Sequence, residues 1–331
     1  MFKVLIYAQL FNINGLYIAQ RKYALKSTTC KEHQRIFNFP CFFSKYAAAE
    51  QDDLWQYLTE QAHRDGSLPN DLSVKKIMDT WTLQMGFPVV TVTRDYSSKK
   101  ATLRQDRFLI SKSEDNPDKH DYMWWIPITF APAGGDFSQT KNDIWIGEHE
   151  KTKDIDGLPD SNTAVIFNVQ ETGYYRVNYD EQNWKLIIKQ LNEDHLKIHV
   201  INRAQIIDDA FNLARSGLLK YEIALGVTAY LNKEVEYIPW AAALRGMSYI
   251  KLMLKRTPAY GAFKMYLRNL VDPLFKREGY KTKDNDQPLD VYLRKLAVSW
   301  ACAMENPECI EKTKGNFGEW MNDLNPDDSN P

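Results

Sequence analysis

The strongest constraint on this chain is that its hydrophobic period changes twice, from helical to alternating and back to helical. From about Tyr46 to Met85 the text is helical, with Leu54, Trp55 and Leu58 on one face. Gly66 to Asn70 interrupts it, and a second helix capped at Asp71 or Ser73 carries Val74, Ile77, Met78 and Trp81 at i, i+3, i+4 and i+7. Gly86 and Pro88 end that pattern. From Phe87 to Asp180 the period is two, in β-branched and aromatic runs at Val89–Tyr96, Ala101–Ile110, Trp124–Phe130, Asp143–Glu148, Ala164–Val169 and Tyr174–Tyr179. Turn-rich loops such as Ser111–Lys119 and Ala133-Gly134-Gly135 separate them, a spacing that predicts an antiparallel β-sandwich. Pro127 inside a run places its strand at an edge or a bulge, because proline has no N–H to give to a ladder.

After Trp184 the helical period returns and stays. Trp184, Ile187, Ile188 and Leu191 form one face; Ile206, Ile207, Ala210, Phe211 and Ala214 form the next, which stops at Gly217. Further helical texts cover Glu222–Leu231, Trp240–Leu254, Tyr260–Leu270, Leu289–Trp300 and Cys309–Met321. Short links between such helices predict antiparallel pairs stacked as a solenoid-like array, although no clean repeat period is visible. The fold class read from this pattern is α+β and multidomain. A helical segment covers 45–86, an antiparallel β-sandwich 87–182 and an all-α helical array 183–331, with 1–44 left unassigned.

Bulk composition narrows the function classes. With 331 residues, 44% hydrophobic content and a formal net charge of −1, the chain can build two or three cores, and it lacks the long-range positive field that draws a protein to nucleic acid. No run of about 18 apolar residues reads as a spanning helix. Met1–Ala19, broken by Gln9, Asn12 and Asn14, makes a poor secretory signal, and the polar tail Asn325–Pro331 makes no lipid-anchor signal. Cys30, Cys41, Cys302 and Cys309 are too few for a disulfide scaffold and lack C-x-x-C zinc spacing. Cys302 and Cys309 stand seven apart around Pro307, a spacing compatible with a disulfide or with two buried thiols.

Two patterns imitate catalytic motifs. His195 and His199 stand at i and i+4, the helical spacing that lets two imidazoles reach one zinc ion. The position after the first histidine is Leu196, which cannot accept a proton from metal-bound water, so surface histidines in an interhelical link are the expectation. Ala303-Met304-Glu305-Asn306 is similar to the tail of the G-A-M-E-N signature of zinc aminopeptidases, with Cys302 in place of glycine, but it closes a late helix rather than forming a strand beside a cleft. His149, between Glu148 and Glu150, reads as a solvated loop. Neither a G-x-S-x-G, Walker, EF-hand nor G-x-G-x-x-G motif occurs.

Several long segments nevertheless resemble one family, in order along the chain. Ala49–Trp55 and Ile77–Val89, with Trp81, Gly86, Phe87 and Pro88, resemble the end of the catalytic domain of aminopeptidase N enzymes. Gly173–Asp180, with Gly173, Tyr174, Tyr175, Arg176, Asn178 and Tyr179, resembles the closing strand of that family's β-sandwich. Ile201–Ala210, with Asn202, Arg203, Asp208 and Asp209, resembles the first helices of its C-terminal domain, and Pro239-Trp240 fits there too. Coverage is about residues 45–325, with the likeness nearest to insect gut members.

The resemblance implies a zinc-dependent gluzincin aminopeptidase, secreted or membrane-anchored, acting on peptides, in which a pair such as Cys302 and Cys309 is disulfide-bonded. The family's zinc helix, downstream glutamate ligand, amino-group site and catalytic tyrosine precede the matched region, so none of them maps onto this chain. The expectation is therefore a truncated C-terminal piece that binds no zinc itself. It would contribute a catalytic-domain remnant, the sandwich and part of the helical chamber, and its partners would be the missing catalytic domain and, as an open alternative, a second copy in a homodimer. Rival readings are a binding module with a Trp124, Trp125 and Trp145 platform for a glycan or toxin, and a helical scaffold for protein partners.

Overall fold

A computed structural model describes residues 50–111 and 120–323. The unassigned stretch 1–44 and the cysteines Cys30 and Cys41 lie outside the described residues. The chain separates into two compact units that divide between Ile187 and Ile188.

The first unit opens with α1 (Gln51–Arg64) and α2 (Val74–Thr82). Asp53 Oδ2 accepts the Glu50 N–H at 2.9 Å, and Ser73 Oγ accepts the Lys76 N–H at 3.2 Å, so each helix starts where a side chain meets an otherwise unpaired backbone donor. Ser73, not Asp71, is thus the cap of α2. Trp55, Ala62, Leu68, Val74, Ile77 and Met78 form the core between them, with Trp81, Trp125 and Trp145 packed against its side.

Eight short strands follow: β1 (Pro88–Asp95), β2 (Lys100–Arg107), β3 (Ile126–Ile128), β4 (Phe130–Pro132), β5 (Ile144–Ile146), β6 (Thr152–Ile155), β7 (Val165–Phe167) and β8 (Arg176–Tyr179). They make a four-stranded sheet in the order β6-β2-β1-β8 and two ribbons, β3-β5 and β4-β7. β1 and β2 are an antiparallel hairpin with Val92 opposite Leu103. Along β2 the side chains of Ala101, Leu103 and Gln105 alternate inward, as period two requires.

Three details depart from the reading of the sequence. β8 pairs with β1 in parallel, Val89 opposite Arg176, so the strands are not antiparallel throughout; the long chain between these strands is ample for a crossover. The run Trp124–Phe130 splits at Thr129, with β3 and β4 pairing into different ribbons. β6 went unpredicted because Thr-Lys-Asp-Ile buries only Ile155 and lies at the edge of its sheet, where apolar alternation is not required. Pro127 sits in β3, which has a single strand partner, in keeping with the positional rule for proline.

Helix α3 (Glu181–Asp194) contains the division between the units. The second unit continues with α4 (Val200–Arg215), α5 (Tyr221–Gly226), α6 (Tyr237–Leu254), α7 (Tyr260–Glu278), α8 (Pro288–Ala303) and α9 (Pro307–Met321). α4 is buried on most sides and meets α6 where Gly246 lets the helices close: a Cβ there would stand 2.5 Å from Phe211 Cγ. α7 runs eight residues beyond the predicted end at Leu270, through Pro273, because Val271, Leu274 and Phe275 are buried and outweigh the missing N–H. Among the described residues the molecule is mixed α and β and mainly helical, and no helix is long and apolar enough to cross a membrane.

Candidate functional site

The residues singled out by sequence occupy three separate clusters, each organised by buried polar contacts. In the first, Trp81 Nε1 donates to Trp125 O at 2.9 Å and fixes α2 against β3. After Gly86, Phe87 stacks on Phe108 at 5.6 Å and leans on Tyr174 at 5.1 Å, while the Arg176 guanidinium lies over Phe87 and Phe108 at 5.8 and 5.1 Å. Pro88 then begins β1.

The second cluster surrounds the entry to β8. Asn168 takes a left-handed backbone and its side chain closes the loop, Oδ1 accepting Gly173 N–H at 2.8 Å and Nδ2 donating to Gly173 O at 2.9 Å. Gly173 is required there, since a Cβ would lie 2.3 Å from the Tyr175 ring. Tyr175 donates to Pro127 O at 3.0 Å, Tyr179 Oη accepts Phe167 N–H at 2.9 Å, and Asn178 Oδ1 accepts Trp184 Nε1–H at 3.1 Å. Arg94 donates to the carbonyls of Thr163 and Pro159 and to Asn183 Oδ1, and Asp180 accepts from Arg94 N and Tyr96 Oη. Burial, then the Asp180 partner, pushes the Tyr96 hydroxyl well above the ordinary phenol range.

The third cluster is in the helical unit. Arg203 and Glu234 form a forked pair at 2.7 and 3.1 Å with side chains 4% and 0% exposed. Arg203 also donates to Ile198 O, and Glu234 accepts from Tyr230 Oη and from the N–H groups of Val235 and Glu236. Trp240 Nε1 donates to Glu234 O at 3.1 Å, and Pro239 lies in the same first turn of α6. Asn202 donates to Gln205 Oε1 at 2.6 Å; Asp209 is buried and Asp208 half-buried. Burial first, and the Glu234 charge second, hold the Tyr230 hydroxyl far above its usual value. Such hydrogen-bonded networks position backbone.

The imitation motifs resolve differently. His195 opens a 3-10 turn and His199 caps α4, its Nδ1 accepting Ile201 N–H at 3.3 Å, so the two rings do not share a helical face. Both are half-buried rather than plain surface residues: the His195 ring lies 5.3 Å from that of Tyr230, and desolvation lowers its pKa. Met304 is fully buried and Asn306 caps α9, so Ala303–Asn306 is a helix–helix turn. His149 is exposed beside Glu148. Cys302 and Cys309 are joined as a disulfide with Cα atoms 5.2 Å apart. Among the described residues no group of three or more His, Cys, Asp or Glu side chains converges to hold a metal ion.

The three tryptophans of the platform reading are placed differently. Trp124 is fully buried, 6.3 Å from Trp81, while Trp125 and Trp145 meet edge to face at 6.3 Å and flank the α1–α2 core. Trp125 and Trp145 line an open recess of about 490 Å³ with Asp143 and two ion pairs, Lys76 to Glu148 at 3.4 Å and Lys153 to Glu150 at 3.1 Å. Sequence reasoning missed Gln105, Arg94, Asn183 and Glu234. The one available signal was a polar residue at an inward position of a strand or a link, as with Gln105 on β2.

A strand-and-turn unit followed by helices held at their links by buried ion pairs is the architecture on which comparison with known proteins bears. Residues 164–330 match the family described as ERAP1-like C-terminal domain. The chain is 40% identical over 285 residues to aminopeptidase N of Homo sapiens, 37% identical over 280 residues to aminopeptidase Ey of Gallus gallus and 34% identical over 289 residues to aminopeptidase N of Plutella xylostella. These alignments cover 84, 82 and 85% of the chain and 28, 28 and 30% of the relatives, so the chain spans under a third of the length of the curated relatives it matches. It belongs to the aminopeptidase N family, within which it corresponds to the C-terminal region. The human relative is more similar than the moth relative, so these matches give the insect branch no preference.

Proposed function

We propose that this chain is the carboxy-terminal architecture of a zinc metalloaminopeptidase that removes N-terminal residues from peptides. Residues 45–86 serve as the end of the catalytic domain, 87–182 as a β-sandwich spacer and 183–331 as part of the helical wall of the substrate chamber. The chain alone is inactive, because the zinc and its base belong to a catalytic domain that this span does not include. The parent enzyme works outside the cell or attached to its surface, a setting in which the disulfide between Cys302 and Cys309 is stable.

The observation that carries this reading is that several of the family-matching residues lie at structural joints. Trp81 joins α2 to β3, Tyr175 and Tyr179 join β8 to its neighbours, and Arg203 joins the start of α4 to the link before α6. No bond-making step is assigned to these residues. Their task is to hold backbone that a catalytic domain can lean on, and His195 and His199 are occupied in such roles.

Two measurements test the proposal. Purified chain with added zinc should release nothing from an amino-acid arylamide; tight binding of one equivalent of zinc, with turnover abolished by His195→Ala or His199→Ala, would overturn it. A chimera that places the preceding part of human aminopeptidase N ahead of Tyr46 should regain zinc-dependent turnover. A folded but inactive chimera would count against the architectural role.

A further inference from the structure

The turn between α8 and α9 is flanked by two of the chain's four cysteines, Cys302 at the end of α8 and Cys309 at the start of α9, and is gripped by one face of α7. Lys264, Arg268 and Asp272 recur every four residues, which puts them one above another on that helix. Each reaches a different point of the turn. Lys264 Nζ meets Glu305 Oε2 at 2.7 Å, Arg268 Nε donates to Met304 O at 2.8 Å, and Asp272 Oδ1 accepts Asn306 Nδ2–H at 2.9 Å.

The turn also closes on itself. Glu305 N–H donates to Cys302 O and Asn306 N–H to Ala301 O, both at 2.9 Å, the paired bonds of a Schellman ending, with Glu305 in the left-handed region at φ 59°. Asn306 Oδ1 then accepts Cys309 N–H at 3.0 Å and starts α9. Not one of these bonds involves sulfur, and across the turn they build, the Cα atoms of Cys302 and Cys309 stand 5.2 Å apart with the disulfide formed. Cys302 is half-buried and Cys309 is fully buried, so one sulfur of the pair is open to an external thiol or disulfide.

We propose that the α7 ladder makes Cys302–Cys309 a reversible clasp: the turn holds both sulfurs in register whether or not the bond exists. Reduction opens the bond without opening the turn, and reoxidation returns the same pair. With glutathione disulfide as oxidant, the Cys302 thiolate attacks one glutathione sulfur and expels the other as thiolate. The Cys309 thiolate then attacks the Cys302 sulfur and expels the second glutathione. The two protons lost by the cysteines end on the two glutathione thiols, and the two electrons pass to glutathione.

The test uses the full chain. Hydrogen exchange of Met304, Glu305, Asn306 and Ile310 is measured before and after reduction by a phosphine; the reduced chain is then reoxidised with glutathione disulfide and its linkages mapped by mass spectrometry. Protection should fall less than tenfold on reduction, and Cys302–Cys309 should return as the main linkage despite the presence of Cys30 and Cys41. A tenfold or greater loss of protection, or a mixture of linkages, would overturn the proposal. In the variant Arg268→Met/Asp272→Ala, closure of the pair should slow at least fivefold, and a smaller change would count equally against the ladder. Should that variant not fold, the wild-type exchange and mapping decide alone.

Discussion

The strand unit and the helical unit solve the same problem by different means. In the strand unit, strands of three or four residues leave much backbone without a ladder partner, so neutral or singly charged side chains reach inward to serve it. Gln105 donates to the carbonyls of Trp124, Gly147 and Glu150 and accepts Trp124 N–H at 2.8 Å, while Asn168, Asn183 and Arg94 do the same for the loops around β7 and β8. In the helical unit the backbones are self-sufficient except at their ends, and buried polar contacts concentrate there, as in Arg203–Glu234 before α6 and Arg294–Asp286 before α8. The lesson is that polar burial follows wherever backbone is left unpaired.

The largest expected effect breaks this comparison on the helical side. Glu234→Leu leaves the buried Arg203 guanidinium without its carboxylate and removes the acceptor of the part-buried N–H groups of Val235 and Glu236, which should cost about 3–5 kcal/mol in urea unfolding. The double variant Arg203→Met/Glu234→Leu should recover part of that, since it removes the uncompensated charge but not the need of the two amides. If the single and double variants lose equally, the link rather than the ion pair is the controlling feature.

On the strand side Gln105→Leu keeps most of the volume and removes four hydrogen bonds from a side chain with no exposure, for an expected loss of about 1–3 kcal/mol. The loss should appear as faster amide exchange at Trp124 and Gly147. A neutral result would mean that these carbonyls find other partners, and the contrast drawn above would weaken.

How far this contrast could be read from the chain depends on which forces leave a periodic trace. Helices were legible because apolar faces such as Val74, Ile77 and Met78 are sampled every turn, and β2 was legible because Ala101 and Leu103 alternate. β6 was not, having one buried residue, and the parallel β1–β8 pair was not, because pairing partners far apart in sequence leave no local signal. A tryptophan in the sequence does not tell which of its faces is covered: Trp124 is fully buried, whereas Trp125 and Trp145 pack one side against the α1–α2 core and line an open recess. The absence of an H-E-x-x-H motif could be read directly, whereas the partnership of Arg203 with Glu234, thirty-one residues away, could not.

A smaller effect separates two links of the helical unit by pH. Desolvation lowers the folded pKa of His195 below the usual 6.5, against the opposing pull of the Glu234 and Asp194 charges, while Arg203 and Lys233 lower it further. Because the unfolded chain binds the proton more readily, this contribution to stability is complete above about pH 6.5 and declines as pH falls through that value. Asp286 behaves in the same direction lower down: Arg294 holds its carboxyl at about 2, so its contribution is lost between about pH 4 and pH 2. Local exchange around α4 should therefore begin to accelerate below pH 6.5 and that around the start of α8 only in acid. His195→Asn should abolish the first step, and a persisting step would assign it elsewhere.

The smallest expected effect lies at Glu305, a non-glycine residue in the left-handed region, where an L side chain is strained and glycine is not. Glu305→Gly relieves that strain and gives up the exposed contact with Lys264, which is worth little in water. A rise of about 2 °C in Tm is expected, the size that a gain of order 1 kcal/mol gives in a domain of this size. Lys264→Met supplies the control, since it removes the ion pair and leaves the backbone strained, and it should change Tm by less. If Glu305→Gly instead lowers Tm, and Lys264→Met lowers it equally, the contact from α7 outweighs the strain. The exposed end of the helical unit would then depend on side-chain charge as much as its buried links do.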